Sequence, residues 1–60
     1  MRQFKVIFEV FLGEHKKERK EILVEAGNKK LAAVRAMSAI NKLEGYSELY
    51  KNVAAIEEVA

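Results

Sequence analysis

From Gln3 to Leu12 the chain alternates without a break. Phe4, Val6, Phe8, Val10 and Leu12 fall on one side, and Gln3, Lys5, Ile7, Glu9 and Phe11 on the other. A side-chain period of two, carried by β-branched and aromatic residues, fits a strand with one face in a core. Such a strand needs neighbours, and the next segments supply one. Gly13, Glu14, His15, Lys16 and Lys17 break the pattern with polar residues behind a glycine, which suits a hairpin loop. A second run, Arg19 to Ala26, places Ile22, Val24 and Ala26 on one face and Glu21, Leu23 and Glu25 on the other. The two runs are close enough to pair as an antiparallel hairpin.

Gly27-Asn28 ends the second strand. Asn28 is a good helix N-cap, because its side-chain oxygen can accept from the free N–H groups of the first turn. The pattern predicts a helix from about Lys29 to Glu44, with Gly45 where a left-handed C-terminal cap is wanted. At about 100° per residue, Ala32, Ala33, Ala36, Met37, Ala39, Ile40 and Leu43 form one broad apolar face. Its short alanine side chains let the helix approach a sheet closely, and Phe4 and Phe8 fill the remaining space.

The segment from Tyr46 to Ala60 supports two readings. Leu49, Val53, Ile56 and Ala60 follow a helical stripe, and Ala54 and Ala55 favour helix. Against this, Glu57 and Glu58 would place negative charge at a helix C-terminus. A lone hairpin is also marginal without a third strand. The preferred expectation is a short helical turn near Ser47–Lys51 and a strand from about Val53 to Val59. The fold is then α+β, a ββαβ chain with a three-stranded antiparallel or mixed sheet. Its strand order is 2-1-3, and one helix packs on one face. The alternative is ββαα with a C-terminal helix.

Sixty residues make one domain, residues 1–60, with a marginal core. Domains of this size often add disulfides, a metal or a partner subunit. Without cysteine, and with His15 as the single histidine, no disulfide and no histidine or thiolate metal cage is available. No cofactor is expected, and self-association remains as the natural way to add core. No run approaches the ~18–20 apolar residues that span a bilayer. The expectation is therefore a cytoplasmic protein with no membrane partner.

Two surfaces carry functional readings. Ile7, Phe11 and Leu23 point away from the helix, with Val53 or Val59 joining them. A contiguous apolar patch of that kind marks a contact site. It predicts a homo-oligomer, a dimer foremost, or another protein partner. The competing reading is that loops or the C-terminal segment cover the patch, or that Lys and Glu stems shield it.

The second surface is basic. Residues 1–30 hold eight Lys/Arg against five Glu, a balance of +3, while residues 31–60 hold three against four, −1. His15, Lys16, Lys17, Arg19 and Lys20 cluster at the hairpin, where phosphate contacts with nucleic acid are conceivable. The competing reading is a solvated turn whose lysines guard a strand edge. Lys29 and Lys30 oppose the helix dipole and would suit an anion, or are simply exposed. Leu31 and Val34 lie on the polar side of the helix and offer either a partner contact or packing under the C-terminal segment.

Catalysis has little support. Ser38 and Ser47 are the hydroxyl nucleophiles, and the one imidazole sits in a predicted loop. The sequence therefore reads as a small non-enzymatic interaction module that self-associates through the uncovered sheet face. The alternative is a basic nucleic-acid-binding accessory protein.

Overall fold

In the computed structural model, which describes residues 1–59, the alternating first run forms β1 (Arg2–Phe11). It is followed by β2 (Lys17–Ala26), α1 (Lys29–Asn41) and β3 (Tyr50–Glu58). The sheet order is β2-β1-β3, with β1 antiparallel to both neighbours. The fold is the ββαβ arrangement. The segment left between strand and helix is a strand, and Ala60 of the helical stripe lies outside the described residues.

The centre of the sheet is also the centre of the core. Phe4, Val6, Phe8 and Val10 of β1 are fully buried and meet Ala26, Ala32, Ala36 and Ile40. Ile22 and Val24 of β2, opposite Val6 and Phe4, are only partly buried. Alanine at 32 and 36 keeps the helix close to the strands, so the bulk of the core comes from β1.

Both helix ends follow from local chemistry. The Asn28 side chain accepts from the Leu31 N–H at 2.9 Å. This satisfies one donor that the first turn leaves free. The helix stops at Asn41, three residues before the predicted Glu44. The N–H groups of Lys42 and Leu43 donate to Ala39 and Ile40, so the last turn tightens into i→i+3 bonds. Gly45 has φ +84°, the left-handed conformation expected of it, but serves the turn beyond the helix. Tyr46 then packs against the core, and its hydroxyl donates to the Glu18 carboxylate. That bond raises the Tyr46 pKa above its ordinary value, with burial and the Glu18 charge adding to it.

β3 begins at Tyr50, three residues before the predicted Val53, and carries a bulge. Ile7 faces Ala55 while Phe8 faces Val53, so Ala54 has no partner. The extra residue swaps the faces of β3 on either side of it. Ile56 lies opposite Val6, and Val53 lies opposite Phe8, both on the helix side.

One ion pair ties the two ends of the chain. Arg2 grips Glu58 with Nε at 2.8 Å and Nη2 at 2.7 Å, while its Nη1 donates to the Gly27 carbonyl at 3.3 Å. The hydrogen bonds from Arg2 to its carboxylate hold Glu58 below its ordinary value; desolvation opposes them, and the charges of Arg2 and Lys29 add to the lowering. A depressed folded-state pKa contributes stability above the unfolded value, and that contribution is lost as pH falls through the folded value. In an NMR titration, Arg2→Gln is expected to move the Glu58 midpoint upward. An unmoved midpoint would show that the pair does not persist in solution.

Candidate interaction surface

The side of the sheet away from α1 is built by the odd-numbered residues of β1 and β2. Reading across the ladder, Lys5 stands between Leu23 and Glu57, Ile7 between Glu21 and Ala55, and Glu9 between Arg19 and Asn52. Phe11 stands between Lys17 and Tyr50. Opposite charges alternate over this surface. Lys5 lies 4.0 Å from Glu21 and 3.9 Å from Glu57, and Lys17 lies 3.4 Å from Glu9. Each pair is solvent-exposed and contributes little on its own.

This arrangement changes the apolar patch expected from the sequence. Ile7 does point away from the helix, but it is only 6% exposed. Lys5 and Glu9 flank it along the strand and Glu21 stands opposite, so their aliphatic stems shelter it within one chain. Phe11 is half-buried, with its ring 5.5 Å from that of Tyr50 and tilted by 45°. Val53, placed on this face by a strict alternation, lies on the helix side because of the bulge. Val59 is exposed beyond the end of β3, where its N–H donates to the Gln3 carbonyl. Leu23 is the most exposed residue of the set, at 69%. Beside it Gln3, Val24 and Glu25 line a shallow depression of about 220 Å³.

The basic residues do not gather into one surface. β2 starts at Lys17, so alternation sends Lys17 and Arg19 to the open face and Lys20 to the helix side. The Lys20 ammonium sits 5.6 Å from the centre of the Tyr46 ring, and Lys17 is paired with Glu9. Lys16 and His15 remain at the loop tip, where they line a shallow depression of about 230 Å³ with Phe11, Gly13 and Glu14. The His15 side chain is 95% exposed and lies 4.0 Å from Glu14. Lys29 and Lys30 follow the far end of β2, a ten-residue strand of roughly 30 Å. Lys29 there adds its charge to the field at Glu58. The six Lys and Arg are thus divided between two faces and two ends of a molecule 37 Å long. Leu31 and Val34 are both exposed, so the described C-terminal segment does not pack over them.

Among the described residues, no group of His, Cys, Asp or Glu is placed to hold a metal ion, and no helix is long and apolar enough to cross a membrane. The fold and surface define a small α+β domain of ββαβ topology whose second strand lies at an open edge. No family model, curated protein or solved structure matches the chain.

Proposed function

We propose that this chain is a non-enzymatic interaction module that associates with a second copy of itself through the β2 side of its uncovered sheet, with Leu23 at the contact. The observation that carries the reading is the exposed leucine in the middle of an edge strand, between half-buried Ile22 and Val24. The surrounding charges favour a like partner. The open face carries Lys5, Lys17 and Arg19 against Glu9, Glu21, Glu25 and Glu57, so two copies can match positive to negative. The small core gives assembly a stabilising role. The non-enzymatic reading rests on the exposure of His15, Ser38 and Ser47, since an exposed side chain is poorly preorganised for catalysis. Nucleic-acid contact is the weaker reading, because the cations are dispersed.

Sedimentation equilibrium tests this directly. The wild-type chain is expected to dimerise at micromolar to millimolar concentration. Leu23→Glu should weaken the dimer at least about tenfold, equivalent to roughly 1.4 kcal/mol, while the circular dichroism spectrum stays unchanged. A wild-type chain that stays monomeric throughout that range would remove the proposal.

A further inference from the structure

The backbone of β2 offers a more specific contact than its side chains alone. The N–H of Leu12 donates to the carbonyl of Lys16 at 2.8 Å, which fixes the phase of the hairpin ladder. Hydrogen-bonded and non-bonded pairs alternate from there along an antiparallel pair. Residues 18, 20, 22, 24 and 26 therefore bond to β1, and residues 17, 19, 21, 23 and 25 turn their N–H and C=O groups outward. Two contacts agree with this phase. Val59 donates to the carbonyl of Gln3, an odd-numbered residue of β1 that must face β3. Arg35 reaches round from the helix to the Glu25 carbonyl at 2.6 Å.

The two edges of the sheet differ. β3 carries a bulge, which is a common way to make an edge unsuitable for pairing. β2 pairs with β1 continuously over ten residues without a bulge. It also holds Ile22, Leu23 and Val24 at the edge, incompletely covered on both sides.

We infer that two copies join β2 to antiparallel β2 about a twofold axis through Ile22, making one continuous six-stranded sheet. This rests on the self-association proposed above and specifies its geometry. Only odd-numbered residues present outward groups, so bonded pairs join odd to odd and both helices lie on the same side of the sheet. Charge then selects among the central registers. With Lys20 on the axis, Lys20 opposes its own copy. With Glu21 on the axis, Glu21 opposes its own copy. With Leu23 on the axis, Glu21 opposes Glu25 twice. With Ile22 on the axis, no like charges are opposed. Ile22 then meets Ile22, Lys20 meets Val24, Glu21 meets Leu23, and Arg19 meets Glu25 on both sides of the axis.

The bonded pairs Glu21–Leu23 and Arg19–Glu25, each occurring twice, supply about eight backbone hydrogen bonds. Arg35 occupies one lone pair of the Glu25 carbonyl and leaves the second free. The charges on β2, read from the sequence as guards of an edge, thus act as a register code. Because β3 is bulged, pairing stops at two copies and does not continue into a fibre.

Disulfide trapping tests the register, and the chain contains no cysteine to interfere. Ile22→Cys is expected to cross-link to itself under mild oxidation, since a non-bonded pair on the axis brings Cα atoms to about 4.5 Å, within disulfide reach. Glu21→Cys and Leu23→Cys, both at exposed positions, should cross-link to each other when mixed. Each alone should react at least about tenfold more slowly than the mixture, because its own copy is not opposite. The mixed pair keeps the test valid if Ile22→Cys disturbs the core. Self-cross-linking of Glu21→Cys or Lys20→Cys at the faster rate would replace the register with another and overturn the inference. A wild-type dimer that none of these variants traps would overturn the strand pairing while leaving self-association in place. A wild-type monomer would remove both.

Discussion

Replacing Phe8 with alanine should leave the chain largely unfolded at 25 °C. Phe8 is fully buried in β1, beside the point where the β1–β3 ladder shifts register. Truncating a buried phenylalanine costs about 3–5 kcal/mol, as lost transfer energy plus a cavity that the surroundings close only in part. A core of this size rarely supplies more than about 3–5 kcal/mol. The neighbouring side chains are also poorly able to collapse into the gap. Ala32 and Ala36 have nothing to extend, and Val6 and Val10 are held by the ladder on both sides. Far-ultraviolet circular dichroism with a thermal scan reads the result. Phe8→Leu, which keeps most of the volume, should retain a cooperative transition. If Phe8→Ala melts cooperatively within a few degrees of wild type, β1 is not the centre of the core.

The second large effect lies on the opposite side of the sheet. Ile7→Ala is expected to destabilise the monomer by about 2 kcal/mol, the lower end for a buried isoleucine. The cost stays low because the flanking Lys5 and Glu9 stems can settle into the space. For a domain of this length, that is a fall in melting temperature of roughly 8–16 °C. The same truncation at Leu23, exposed in the monomer, should change monomer stability by less than about 0.5 kcal/mol. Scans at several protein concentrations separate the two behaviours. The Ile7→Ala deficit should persist at the lowest concentration, whereas any deficit of Leu23→Ala should appear only where dimer forms. If the Ile7→Ala deficit vanished on dilution, Ile7 would belong to an interface and not to the subunit's own packing.

The contrast between Ile7 and Leu23 marks where the sequence is legible. Alternation places both on the face away from the helix, and the register agrees. It does not say which is covered, because coverage comes from side chains on neighbouring strands. Ile7 lies on the central strand between Glu21 and Ala55, while Leu23 has a neighbour on one side only. The order 2-1-3 expected from the sequence already separates a central strand from an edge, but the degree to which neighbouring side chains close over Ile7 comes only with the register. The alternating pattern of β1 and β2, the Asn28 cap and the left-handed Gly45 were all readable, because each is a local signal with a local cause.

The C-terminal strand was harder to read for a definite reason. The bulge at Ala54 inserts one residue into a period of two, so the inward positions run Lys51, Val53 and then Ile56. The step of three from Val53 to Ile56 is one that a helical stripe also takes, and the adjacent Ala54 and Ala55 strengthen that impression. The dispersal of the basic residues has a similar origin. Lys16, Lys17, Arg19 and Lys20 are neighbours in sequence, yet three of them fall within β2, where adjacent side chains point to opposite faces.

The ladder also sets an order of events during synthesis. Phe4 sits across from Glu58, so β1 gains its second neighbour only after β2, α1 and β3 have all been translated. At about 5–20 residues per second, that delay is on the order of seconds. In the meantime a hairpin and a helix can form, while the most apolar segment of the chain has one flank bare. The nascent polypeptide is then most exposed to mispairing with other unfinished chains, and the bulged strand that ends this interval also seals that flank.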